Sequence, residues 1–215
     1  MSETPDADSV FCLLDFLRRA EALKSTLRTT WTRTGRQEST AEHSWRLSLF
    51  ALLACREYPA LDPLKIVQLA IVHDLGEAIH GDIPAPEQKG PKDKQEREDM
   101  VDLLRPLPCG LREEMLSLWE EYEYVKTPEA RLVKALDKLE TLLQHVQGAN
   151  PQDYVDYAFN LGYGTRYTGL DAFIRELRET LDLETECCLQ ARRNRLESLD
   201  WRFNRFPVQS ACNYT

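Results

Sequence analysis

The sequence predicts an all-α protein: a helical bundle with short loops and no significant sheet. Three observations carry this. Nearly every stretch with regular apolar spacing repeats at three to four residues, the period of an α-helix. No segment shows the alternation of a half-buried strand. Helix-start signals recur, at Ser39-Thr40-Ala41-Glu42, Asp62-Pro63 and Thr127-Pro128.

A first helix is expected over 10–27, where Phe11, Leu14, Leu17 and Leu23 share a helical spacing. The polar stretch 29–38 reads as a loop. Ser39 then opens a second helix, with Glu42 closing a capping box. A third helix starts at Asp62-Pro63 and runs to about residue 79. Its end is enforced by Gly81-Asp82-Ile83-Pro84-Ala85-Pro86, which cannot continue a helix. A charged helix is expected over 91–104, solvated on most of its surface. Another covers 111–124, and Thr127-Pro128 caps the next, with Leu132, Leu136, Leu139 and Leu143 as its apolar stripe, to about residue 147. Gly148-Ala149-Asn150-Pro151 breaks it. A short helix over 152–159, a Gly/Tyr-rich loop over 161–169 and a final helix over 170–199 complete the chain. Residues 1–200 are expected to form a single domain, and 201–215 a C-terminal tail.

The composition narrows the function. The chain has 215 residues, 42% hydrophobic and 29% charged, and a net charge of −9. That size supports a full hydrophobic core. The acidic balance argues against a broad basic face for a nucleic-acid polymer, but not against a small phosphorylated ligand. No apolar run approaches the roughly 18 residues that span a bilayer, so no membrane partner is expected. The acidic, polar segment 1–8 carries no secretory signature. None of the six cysteines forms C-x-x-C, and they are expected as reduced thiols of a cytoplasmic protein.

The chemistry is carried by few residues. Of four histidines, His43 and His73 fall on apolar helix faces. His43 shares a face with Leu47, Phe50, Ala51 and Ala54. His73 shares one with Ile66, Leu69, Ala70 and Glu77. Asp74 follows His73, and Asp137 borders the leucine stripe of its helix. Each alone has a plain alternative: a satisfied core histidine, a cap or lysine partner for Asp137, a helix-face hydrogen bond for Glu77, a turn residue at Asp82. Together they place two imidazoles and two carboxylates at an apolar interior. Burial of each unpaired charge would cost several kcal/mol. Convergence on a divalent cation removes that cost, and a mixed nitrogen and oxygen site suits Mn, Co, Fe, Ni or Zn. His80 is read as lining the pocket or capping a helix end, and His145 as structural.

The ordered set Ala41-Glu42-His43-Ser44, His73-Asp74 with Glu77, Gly81-Asp82-Ile83-Pro84 and Ala135-Leu136-Asp137 resembles the HD-domain phosphohydrolases, and most closely their 5′-deoxynucleotidase subgroup. The likeness covers roughly residues 13–181. It implies one divalent transition metal, Co or Mn among others, held by His43, His73, Asp74 and Asp137. It implies Glu77 and Asp74 as the catalytic pair, with Glu77 positioning or protonating during hydrolysis. It places Asp82 near the sugar, excluding a 2′-hydroxyl. It assigns an arginine and a tryptophan ahead of the first histidine to the nucleotide. These are Arg28 and Trp31, with Arg33 or Arg36 as alternatives because the spacing in this loop departs from the family's. The expected activity is hydrolysis of deoxyribonucleoside 5′-monophosphates by a homodimer. The alternative is a deoxynucleoside triphosphate hydrolase using the same metal site. A dinuclear enzyme of the superfamily would need further histidines between Asp74 and Asp137, where only His80 stands, and a non-catalytic adaptor would have no use for the whole set.

Overall fold

Leucines at helical spacing on one long helix organise the fold. In the computed structural model, which describes residues 7–83, 93–151 and 154–203, helix α7 (Pro128–Gln147) runs through the centre. Leu132, Leu136, Leu139 and Leu142 are fully buried on it. The expected stripe ends differently, because Leu142 rather than Leu143 enters the core. Around α7 pack α2 (Thr40–Ala54), α3 (Pro63–Val72) and α10 (Ala172–Phe203). Their contributions include Leu47, Ala51, Ile66, Leu69 and Ile174, all without solvent exposure. Leu132→Ala should destabilise the protein by about 2–5 kcal/mol, because a filled core collapses only partly around a lost side chain. Urea unfolding checks this, and a loss well under 1 kcal/mol would contradict the packing.

A second apolar cluster joins α1 (Ala7–Ala20), α5 (Asp93–Leu104) and α6 (Cys109–Glu123). It contains Phe16, Leu23, Val72, Leu75, Met100, Leu103, Leu104, Leu107 and Trp119. The chain crosses from the first cluster, which holds Ile66, Leu69 and Ala70, to the second, which holds Val72 and Leu75, just as it reaches His73-Asp74. Helix α5 therefore buries more than its charge suggested.

The third helix does not run unbroken to residue 79. α3 stops at Val72, and the backbone tightens into bonds from Glu77 N to Asp74 O (3.1 Å) and Ala78 N to Leu75 O (3.2 Å). These are three-residue steps, the 3₁₀ spacing. The short helix α4 (Glu77–His80) follows. Gly76 permits the close approach of α5 at this bend: a Cβ there would lie 3.3 Å from the Glu96 carbonyl oxygen.

The expected loop over 29–38 is instead a small antiparallel hairpin, β1 (Leu27–Trp31) with β2 (Gln37–Ser39), in register Leu27 with Ser39 and Trp31 with Gln37. The strands are short and polar, so they lack apolar alternation. Thr30 Oγ1 donates to Glu38 Oε2 across them at 2.7 Å. The hairpin is tied to the end of α7: Ala149 N donates to the Thr32 carbonyl at 3.0 Å, and Gln144 donates to the Trp31 carbonyl. A Cβ at Gly148 would come 2.2 Å from that Trp31 oxygen, so only glycine fits there.

The expected caps form. Ser39 accepts from Glu42 N while Glu42 accepts from Ser39 N at 2.9 Å, Asp62 caps α3, and Thr127 accepts from Ala130 N. The first helix ends earlier than expected, at Ala20, before a 3₁₀ turn over Glu21–Lys24. Its stripe of Phe11, Leu14 and Leu17 is exposed. The short helix near the C-terminal half is α8 (Tyr157–Gly162), and the expected loop after it contains α9 (Thr165–Thr168). α10 continues to Phe203, past residue 199. The expected start at residue 91, residues 84–86 of the Gly/Pro segment, Gln152 and the tail beyond Phe203 lie outside the described residues. Among the described residues no helix is long and apolar enough to cross a membrane.

Candidate metal centre

Four side chains from three parts of the chain meet at the bend after α3. His43, fully buried on α2, points its Nε2 at His73 Nε2, 3.2 Å away. Asp74 Oδ2 lies 2.9 Å from His73 Nε2 and 3.7 Å from His43 Nε2. Asp137, from α7, brings Oδ1 to 3.3 Å from His43 Nε2. His73 and Asp74 are consecutive, yet both face this point.

The hydrogen bonds behind the rings fix their tautomers. His73 Nδ1 lies 2.9 Å from the Ala70 carbonyl, which can only accept, so Nδ1 carries the proton. His43 Nδ1 donates to the carboxylate of Glu140, which is itself held by Arg46 Nε at 2.6 Å. Both Nε2 atoms therefore turn toward each other and toward two carboxylates, where a bound cation would take the place of a proton. Such a set repels itself unless positive charge sits within it, and the backing of each ring by an acceptor is the arrangement that orients a metal-ligating imidazole. Two imidazoles and two carboxylates fit a divalent transition cation. Ligand atoms of His43, His73 and Asp74 all lie within 4.8 Å of one another.

The electrostatics agree. Burial and Arg28 act to lower the pKa of His43, but Glu140 and Asp137 outweigh them and push it up to about 10. Burial opposes ionisation of Asp74, yet His73, His43 and Arg28 hold it below the usual carboxylate range. Asp137 is likewise held well below, against burial, by Lys138 and His43. Each shift marks a cluster that attracts positive charge.

The centre opens into a pocket of about 550 Å³, a size typical of small-molecule sites. Arg28, Asp82, Glu77, Thr141, Lys134 and Lys138 line it, with an aromatic wall of Tyr154, Phe159, Tyr163 and Tyr167. Glu77 is buried and accepts from Thr40 Oγ1 at 3.0 Å. Arg28 reaches in from β1, with NH1 3.4 Å from Asp74 Oδ2 and NH2 3.3 Å from Thr141 Oγ1. Burial would lower its pKa, but Asp82, Asp74, Glu140 and Glu77 hold it above the ordinary guanidinium value.

Not every expected residue comes to the pocket. Trp31 is buried behind the wall, with its ring edge-on to Tyr154 at 4.3 Å. Arg33 is exposed in the hairpin turn, and Arg36 is exposed and paired with Glu42. His80 bonds Asp99 at 2.7 Å and is largely exposed at the end of α4. His145 borders the pocket, but its Nδ1 is 3.1 Å from the Asn160 amide nitrogen, and burial and Arg28 lower its pKa to about 4. It stays neutral at ordinary pH.

Sequence reasoning passed over Arg46, Tyr122, Lys134, Lys138, Glu140 and Thr141. A signal existed for three of them. Lys134, Asp137, Lys138 and Thr141 recur at three- and four-residue steps, forming a second face of α7 opposite the leucines. A polar face on a helix whose whole girth is buried faces a site rather than water.

Comparison with known proteins agrees with this geometry. The family model described as HD domain matches residues 20–178. The 5′-deoxynucleotidase HDDC2 of Homo sapiens is 40% identical over 137 residues, covering 61% of this chain and 66% of that protein. The 5′-deoxynucleotidase hdd1 of Schizosaccharomyces pombe is 39% identical over 144 residues, covering 63% and 70%. The matched stretch thus spans about two thirds of the length of these relatives. In structure, a predicted metal-dependent phosphohydrolase from Magnetospirillum magnetotacticum superposes with a TM-score of 0.67 at 27% identity, over 82% of this chain and 97% of that one. A conserved protein from Pyrococcus furiosus gives 0.59 at 30% identity, over 77% and 99%. With the model match covering most of its length, the chain belongs to the HD-domain family.

Proposed function

We propose that this chain is a metal-dependent phosphomonoester hydrolase that converts deoxyribonucleoside 5′-monophosphates to deoxynucleoside and phosphate. The observation that carries the reading is the meeting of two imidazole Nε2 atoms and two carboxylates beside a pocket lined by His73, Asp74 and Asp137. The relatives named 5′-deoxynucleotidase point to the same chemistry.

His43, His73, Asp74 and Asp137 would hold the cation, with cobalt or manganese the expected ions. When bound, a divalent ion acidifies a water and offsets charge on the phosphoryl oxygens. The chain's own residues do the rest. Arg28 offers its guanidinium to the phosphate. Its present contacts are long, and its Nε, 3.6 Å from Glu38, has no hydrogen-bond partner among the described residues. Glu77, one turn past His73 on the pocket wall, positions the attacking water or gives a proton to the departing 5′-oxygen. Trp31 supports the nucleotide indirectly, by bracing Tyr154.

The triphosphate alternative is less well supported. Arg33 is exposed, Arg36 is taken by Glu42, and Lys94 is 87% exposed beside Glu98, while Lys89 and Lys92 lie outside the described residues. A substrate panel decides: dNMPs should yield orthophosphate, and inert dNMPs with tripolyphosphate released from dNTPs would overturn the reading.

Asp82 lines the pocket beside Ile83 and is the residue to exclude a ribose 2′-hydroxyl. Asp82→Ala should narrow the ratio of kcat/KM between deoxyribo- and ribonucleotides severalfold. An unchanged ratio would move selectivity elsewhere.

The working unit is a homodimer. Trp45, Leu49, Leu52 and Leu53 form an exposed stripe on α2 at helical spacing, directly behind the face that carries His43. Light scattering should give twice the 24.9 kDa chain mass. Leu49→Glu with Leu53→Glu should halve it, and a monomeric wild type would contradict the assignment. The free thiols, Cys12, Cys55, Cys109, Cys187 and Cys188 among the described residues, suit a reducing compartment such as the cytoplasm.

A further inference from the structure

The carboxylate of Asp137 has its two oxygens divided between different tasks. Oδ1 faces His43 Nε2 at 3.3 Å. Oδ2 accepts from the Tyr122 hydroxyl at 2.8 Å and lies 2.8 Å from Lys138 Nζ. One donor comes from α6 and the other from α7, so Oδ2 is held from two directions.

Both donors are themselves fixed. The Tyr122 ring lies edge-on to His73, with centroids 5.2 Å apart, and Lys134 Nζ sits 4.0 Å from its centroid. The stem of Lys138 lies under the backbone at Gly164. A Cβ at Gly164 would come 2.7 Å from Lys138 Cβ and 2.8 Å from Cγ, and the φ of +69° there also disfavours a side chain. The Tyr163 ring lies over Nζ at 5.3 Å.

We propose that Tyr122 and Lys138 are positioning residues that commit Asp137 to ligation through one oxygen, and that Gly164 seats Lys138 for this task. The inference rests on the metal-binding reading above. Charge-assisted and phenolic hydrogen bonds on Oδ2 compete with its use as a second ligand atom. Free of them, the carboxylate can swing to offer both oxygens, which raises the coordination number. Partners of this kind alter metal affinity by about 10- to 100-fold in other sites.

The test is titration of the metal-stripped full chain with Co(II), reading affinity by calorimetry and coordination by visible absorption. Tyr122→Phe keeps the buried ring and removes only the hydroxyl. It should weaken Co(II) binding by about 10- to 100-fold and lower the visible absorption of the complex, as a higher coordination number does. For Lys138→Met the spectrum is the readout, because loss of a positive charge favours cation binding while loss of the hydrogen bond opposes it. Its absorption should fall in the same direction, Gly164→Ala should follow it, and Tyr122→Phe with Lys138→Met should show the largest change. Spectra of all four that superimpose on the wild type, with unchanged affinity for Tyr122→Phe, overturn the proposal. Failure of the underlying reading looks different: the wild type itself would then bind no Co(II).

Discussion

Glu77→Ala is expected to lower turnover of a deoxynucleoside 5′-monophosphate by about 10²- to 10⁴-fold while the protein keeps its metal. Glu77 opens α4, immediately after the tightened turn that carries His73 and Asp74. It lines the pocket but belongs to none of the contacts that bring the two imidazoles together. Thr40 Oγ1 donates to its Oε2 and orients the carboxyl. Removing it leaves the four-residue donor set intact and takes away the group that handles water or proton. Stability should fall by about 1 kcal/mol, from the hydrogen bond lost to Thr40. Metal analysis beside steady-state kinetics separates the outcomes. A variant that loses metal together with activity would make Glu77 a ligand. Full turnover without Glu77 would remove it from the reaction.

His43→Ala should abolish stoichiometric metal binding and reduce hydrolysis to background. The substitution removes one nitrogen donor, and it also strips Glu140 of a partner. Glu140 is 1% exposed and, among the described residues, would keep Arg46 as its charge-assisted hydrogen-bond partner. A buried carboxylate that loses one of two charge-assisted partners costs about 1–3 kcal/mol, so the variant should also melt earlier. His145→Ala is the control. That ring borders the same pocket, but its Nδ1 is already engaged by Asn160, so metal content should be unchanged. Metal retained at one ion per chain in His43→Ala would show that the imidazole pair is not the binding site.

Much of this was legible in the sequence because helices announce themselves locally. The caps at Ser39, Asp62 and Thr127, and the leucines of α7, follow from side-chain geometry within one or two turns. The spacing of His43, His73 and Glu77 on apolar faces is equally local, and the structure brings His43 and His73 together with Asp74 and Asp137. What stayed hidden depends on distant partners. The hairpin over 27–39 has no apolar alternation because Arg28, Thr29 and Thr30 face a polar pocket and its strands are held by α7. The tightened turn after Val72 sets Gly76 against α5, a contact with a distant segment that apolar periodicity does not record. The family resemblance implies Trp31 as a nucleotide contact, but it is buried edge-on to Tyr154. The stripe of α1 has helical spacing, yet its Phe11, Leu14 and Leu17 face outward. Periodicity shows that a face exists without showing what covers it.

We propose that His43, His73, Asp74 and Asp137 hold the ion on which hydrolysis depends. It is tested most directly by stripping the protein with a chelator, then titrating Co(II) or Mn(II) back while following phosphate release from a deoxynucleoside 5′-monophosphate. Activity should be absent from the stripped protein and should rise in step with bound metal, reaching its plateau at one ion per chain. Undiminished phosphate release from metal-free protein would contradict the account.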